Sequence, residues 1–267
     1  MNEQRVDTVS TYYKLPQKVD RISNFLMWMS ICISLIVLYL NKLGPVKEMI
    51  NILYVIVTIL YFLASNINEL YLLRKAENKR TTHLLSNGLG VSLDDEFTNR
   101  YYNNELPPSI YRLGMNVFEN TFFTSSISKK MLYSESIKIL MYVIIWFLLL
   151  LNRKTPLETI AVVSQTLLGT TLITHGVRIF MLYIESKSLF ERFRNVFLNY
   201  FSNSFDGNVR VLESQILDLC VKYEVLKGAL GVLLSEKIFN EMNKKLTSEW
   251  ENIKRNIGAI SKGPHVF

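Results

Sequence analysis

Four apolar runs govern what this chain can fold into: Ile22–Leu40, Met49–Ile67, Ile137–Leu151 (led in by Met131-Leu-Tyr133) and Leu157–Ile173. Each is close to the roughly 20 residues that a helix needs to cross about 30 Å of hydrocarbon. None alternates with a period of two. In lipid only helices and closed barrels satisfy every backbone group internally, so helices are expected. The turns Asn41-Lys-Leu-Gly-Pro-Val-Lys-Glu48 and Asn152-Arg-Lys-Thr-Pro156 carry Gly and Pro punctuation and pair the runs into hairpins.

The fold class expected is therefore all-α: an integral membrane protein with four transmembrane helices in two hairpins plus a cytoplasmic helical domain. Its parts are an N-terminal arm (1–21), a first hairpin (22–67), a cytoplasmic linker or collar (68–136), a second hairpin (137–174) and a cytoplasmic helical region (175–267). Composition agrees with a mixed object. Over 267 residues the mean hydropathy is +0.17, high for a water-soluble domain, yet 20% of residues are charged, too many for a chain lying wholly in lipid. No small-residue cleavage site follows the first run, which reads as an anchor rather than a removable signal.

Charge counting sets the expected topology. Of 30 basic residues the two turns hold Lys42, Lys47, Arg153 and Lys154, and the rest lie in the arm, in the middle segment, at Lys138 and in the tail. An even number of crossings puts those portions on one side, and the basic bias makes that side cytoplasmic, both termini included. The net charge of +7 favours anionic neighbours there: headgroups, nucleotides or nucleic acid.

Catalytic constellations are missing. His83, His175 and His265 are scattered, with no nucleophile elbow or zinc-protease spacing around them. Asn87-Gly-Leu-Gly90 lacks the Gly-Lys-Ser/Thr of a phosphate loop. Cys32 and Cys220 are poor disulfide partners, and no metal-ligand spacing exists. Asp94-Asp95-Glu96 suits a helix start or a divalent cation. Neither an enzyme, a cofactor nor a metal centre is expected.

Two features carry binding chemistry. Thr159, Thr166, Thr170 and Thr174 fall on one face of the fourth run, beside Ser164 and Gln165. Such a stripe lines a water-filled pore, or else packs helices closely as small and hydroxylated residues do. His175 and Arg178 end that face as a cationic ring or as snorkelling side chains. The second feature is Arg100, Tyr101, Tyr102, Asn103 and Asn104, a charge, two stacking faces and two amides, which is equipment for holding a base and its phosphate. Arg112 and Asn116 extend it along a helix in which Ile110, Leu113, Gly114, Val117, Phe118 and Phe122 recur at three and four. The alternative is a collar whose polar groups cap helices and bond between subunits.

The tail reads as helical. Arg178–Tyr200 prolongs the fourth run, Ser204-Phe-Asp-Gly207 turns, and Val209–Leu226 is amphipathic. Ser235 caps a last helix whose stripe of Phe239, Met242, Leu246, Trp250, Ile253 and Ile257 suits packing within the chain or self-association.

Two hairpins, an Arg/Lys-rich middle segment leading through Asn87-Gly-Leu-Gly90 to Tyr101-Tyr102, and a helical tail resemble the four-transmembrane effectors of bacterial antiphage defence. The layout is similar to the SMODS-associating four-helix effectors and to the membrane effectors of Hailong systems. The Gln-Glu-x-Phe-Asp stretch usual in the former is not clearly present, and no functional residue is carried over. The resemblance implies a bacterial inner-membrane protein with a co-encoded nucleotidyltransferase as partner, permeabilising the membrane when a nucleotide signal changes.

The expectation is thus a homo-oligomeric channel, a tetramer, gated by a nucleotide or oligonucleotide bound on the cytoplasmic side, with membrane disruption and abortive infection as its outcome. Its rival is a non-conducting membrane scaffold recruiting a cytoplasmic partner. A small transporter needs an ionisable residue deep in a helix, and the runs hold none there.

Overall fold

The computed structural model describes residues 9–39, 44–93, 104, 106–152, 157, 160–161, 164, 172–201 and 208–259. The described residues are helical throughout, with short turns and no strand. In chain order the helices are α1 (Val9–Tyr39), α2 (Gly44–Ile67), a π turn (Asn68–Leu72), α3 (Leu73–Leu89), α4 (Ile110–Leu151), α5 (Leu172–Phe201), α6 (Val209–Leu230) and α7 (Glu236–Asn256).

Several boundaries differ from those the pattern suggests. The polar arm is not separate from the first run: α1 starts at Val9 and carries Pro16 inside it. A proline there removes one backbone bond without ending the helix. The third run and the Ile110–Phe122 periodicity belong to one 42-residue helix. Its middle, rich in Thr and Ser, is helical, and the hydroxyls are satisfied by bonding back to carbonyls one turn earlier. Thr121 donates to Phe118 O at 2.7 Å, Ser125 to Phe122 O at 2.9 Å and Ser128 to Thr124 O at 2.6 Å. Likewise α2, the π turn and α3 run on as 46 helical residues. Caps close the later helices. Asn208 accepts from Arg210 N at 2.9 Å, and Ser235 accepts from Ile238 N at 3.4 Å, the cap expected there.

The chain divides into two compact units. The first, here the helical unit, takes Met1–Tyr12, Lys75–Met131 and Ile179–Phe267. Its core is aromatic. Fully buried Phe118 of α4 meets Phe190, Phe193 and Phe197 of α5 at ring separations of 5.1, 5.9 and 5.7 Å, and Trp250 of α7 edge-on at 5.0 Å. Gly114, on the same face, lets α6 approach: a Cβ there would stand 2.4 Å from Ile216 Cγ2. The α7 stripe turns inward, with Leu246, Trp250 and Ile257 buried.

The second, here the apolar unit, takes Tyr13–Arg74 and Leu132–Arg178. Its buried cluster is small: Met27, Ile31, Tyr61 and Tyr142, with Ile139, Val143, Trp146 and Leu149 against it. Polar groups pair across helices, Ser30 with Thr58 at 3.2 Å and Trp146 Nε1 donating to Ser164 Oγ at 2.8 Å. Two helices, Gly44–Leu89 and Ile110–Leu151, are long and apolar enough to cross a membrane, and only 11% of each apolar stretch is buried within the chain. The first run lies in α1, and most of the fourth lies outside the described residues.

Candidate functional site

Three polar assemblies stand out, two in the helical unit and one in the apolar unit. In the helical unit the end of α3, the loop before α4 and the first turns of α4 are joined by an amide clasp. Asn116 Nδ2 donates to Asn87 Oδ1 at 3.0 Å. Asn104 Nδ2 donates to Asn116 Oδ1 at 3.0 Å and is also 3.0 Å from Arg112 O, while Asn104 Oδ1 accepts from Leu106 N at 3.0 Å. Local geometry explains why these three amides meet. Gly88 allows α4 against α3, since a Cβ there would stand 2.8 Å from Leu113 Cβ, and Ser109 N donates to Gly88 O at 2.9 Å. Gly90, at φ +68°, then turns the chain out of the helix. Asn87-Gly-Leu-Gly90 is thus a close-packing corner.

Of the residues singled out for ligand binding, Arg100, Tyr101, Tyr102 and Asn103 lie outside the described residues. Asn104 and Asn116 face each other in the clasp, with Asn116 fully buried. Arg112 is half-buried, and its Nε has no hydrogen-bond partner among the described residues. A buried guanidinium N–H left unpaired is costly.

The same unit holds a charge network the sequence reading passed over. Arg80 Nε donates to Glu77 Oε2 at 2.7 Å, and its Nη2 donates to Glu224 Oε2 at 2.5 Å. Thr81 donates to Glu224 at 2.6 Å, and Lys227 Nζ lies 3.1 Å from Glu77 Oε1. Glu77, Arg80 and Lys227 are all buried. Burial alone would push the Glu77 carboxyl up; Lys227 and Arg80 outweigh that and hold it at about 2. These contacts fasten α6 to α3.

In the apolar unit an ionic girdle gathers charges from α1, the π turn, α4 and α5. α1 contributes Asp20, the π turn Glu69, α4 Glu135 and Lys138, and α5 His175 and Arg178. Arg178 Nη1 donates to Glu69. Lys138 Nζ donates to buried Glu135 at 2.8 Å. Asp20 accepts from Asn24 Nδ2 at 2.9 Å and lies in electrostatic reach of His175, Lys138, Glu69 and Glu135. The π turn carries Glu69, and buried Asn68 beside it has a side-chain oxygen without a partner among the described residues. Such single π turns collect at functional sites.

His175 and Arg178 were legible as cations ending the fourth run; their anionic partners were missed. A signal existed, since Glu135 and Lys138 stand three apart at the entry to the third run. Among the pore-lining candidates Thr174 is exposed on α5, and Thr159, Thr166 and Thr170 lie outside the described residues. Ser164 donates to Ile160 O at 2.7 Å and accepts from Trp146, so its hydroxyl is satisfied within the chain. Among the described residues no group of His, Cys, Asp and Glu is arranged to hold a metal.

No family model, curated protein or solved structure matches the chain.

Proposed function

We propose that the chain is the subunit of an oligomeric channel, a tetramer, in a bacterial inner membrane, with four crossings and both termini cytoplasmic. It acts as an antiphage effector whose conductance responds to a nucleotide or oligonucleotide made by a co-encoded nucleotidyltransferase. The observation that carries this reading is the ionic girdle, drawn from α1, the π turn, α4 and α5 in a unit whose long helices leave their apolar surface unburied. The girdle's members bound the apolar runs, where ionisable side chains that pair with one another can line the mouth of an ion path.

The girdle suits a two-state gate. Arg178 is held by Glu69; an anion that competes for Arg178, or a shift of α5, releases Glu69 and repartners the ring. A ligand moves such an equilibrium only through differential affinity, and a swing from 1:99 to 99:1 takes a ratio of about 10⁴ between the states.

Reconstitution into planar bilayers, with and without nucleotides and short oligonucleotides, tests the reading. A conductance that changes with ligand supports it, and silence under every ligand condition refutes it.

The scaffold reading draws on a specific observation, the Trp146–Ser164 bond, which uses one hydroxyl of the fourth run for packing inside a protomer. It predicts that truncation after Ser204 abolishes partner recruitment while Thr166→Leu and Thr170→Leu do little. Loss of the phenotype in those threonine variants, with insertion intact, rules it out.

A further inference from the structure

Helix α1 sorts its charges by face. Lys14, Lys18 and Arg21 follow one another at steps of four and three on one exposed side, and none has an ion-pair partner among the described residues. The one acid of the helix, Asp20, turns away from that side and joins the girdle. Steps of three and four past Arg21 lead to Phe25, Trp28 and, beyond Cys32, Ile36, which are 64, 46 and 48% exposed. One outward stripe is thus cationic at its start and apolar from where the first run begins.

The two halves of the stripe define what covers it. At 1.5 Å per residue, Phe25 to Ile36 spans about 16 Å, close to the hydrocarbon depth of one leaflet, which is half of about 30 Å. A soluble anion would neutralise Lys14, Lys18 and Arg21 and leave the apolar half bare. A neutral apolar partner would do the reverse. A second copy docked by the same stripe, upright in the same bilayer, would set cation against cation. An amphiphile with an anionic head and hydrocarbon tails meets both halves at once.

We propose that this face of α1 binds an anionic phospholipid, with its head on Lys18 and Arg21, Lys14 one turn further out, and its acyl chains along Phe25, Trp28 and Ile36. A zwitterionic lipid brings a cation of its own and competes poorly for such a site. The inference rests on the membrane reading but not on conduction.

The test uses the full chain with Cys32→Ser, reconstituted in vesicles of phosphatidylglycerol and phosphatidylcholine in equal parts, one of the two carrying brominated chains. Cys220 is buried and stays in place. A bimane attached at W28C reports which lipid lies on the stripe. One attached at I59C, 52% exposed in mid-α2 and remote from the cations of that helix, reports the rest of the bilayer. The affinity for phosphatidylglycerol relative to phosphatidylcholine, read from quenching, is expected to be on the order of five-fold at 28 and about equal at 59. Lys14→Gln, Lys18→Gln and Arg21→Gln together bring 28 to the value at 59, while quenching at 59 and circular dichroism stay unchanged. The comparison of 28 with 59 uses the three native cations, so it decides the question even where the triple variant does not insert. Equal preference at the two positions overturns the proposal, as does a preference at 28 that survives the triple substitution. Quenching at 59 with none at 28 overturns it too, since another partner then covers the face. Loss of the preference on adding inorganic phosphate at constant ionic strength makes a soluble anion the occupant. No quenching at either position contradicts the membrane reading itself, and the lipid site with it.

Discussion

The two units put the same kinds of side chain to opposite uses. In the helical unit Phe118, Phe193, Phe197 and Trp250 bury their rings against one another, and the charges inside, Glu77, Arg80 and Lys227, are paired. In the apolar unit large side chains such as Met49, Phe62, Met141, Phe147 and Leu148 point outward, and the buried cluster is small. The difference teaches where each unit's stability comes from. One is held by its own core. The other leaves bare the apolar faces of two helices long enough to cross a membrane.

Substitutions can break or sharpen that contrast. The largest effect is expected at Phe118, where truncation to Ala removes the ring that four aromatics contact and costs about 3–5 kcal/mol, read by denaturant unfolding in detergent. Equal tolerance at Phe118 and Phe147 would erase the distinction between the units. Next comes pH. Glu77 has its carboxyl depressed to about 2 from 4.5, so the unfolded state binds the proton more readily. The stabilisation is present above pH about 4.5, declines as pH falls and is gone below about 2; it amounts to roughly 3 kcal/mol. Glu77→Gln should flatten that part of the pH–stability curve, and an unchanged curve would show that the network does not carry it. Asn116→Ala strands its partners Asn87 and Asn104 and should cost about 1–3 kcal/mol by thermal unfolding. Smallest is Phe147→Ala, 55% exposed, expected to fall within about 0.5 kcal/mol in detergent.

Much of the helical architecture was legible because period-3.6 patterning and caps are local. The Ile110–Phe122 face and the Ser235 cap stand where spacing puts them. What sequence did not reveal depends on partners remote in the chain. Glu77 and Lys227 are separated by 150 positions, and nothing local distinguishes either from a solvated charge. Glu69 looks like an ordinary helix-surface acid until the π turn and Arg178 are known. The unbroken α4 was obscured by its Thr- and Ser-rich middle, whose hydroxyls prefer turns unless they bond back along the helix. For the candidate sites the amides of 104 and 116 were found but not their engagement with each other, because a free amide and a clasped one read alike in sequence.

If the proposed function holds, the outward apolar faces of α2 and α4 lie in hydrocarbon while α7 lies in water. Spin-label power saturation in nanodiscs measures this directly, with labels attached at L148C and at E236C in the Cys32→Ser chain. The label at 148 is expected to relax with oxygen and be shielded from a water-soluble nickel chelate, and the label at 236 to do the reverse. Nickel access at 148 matching that at 236 would contradict it.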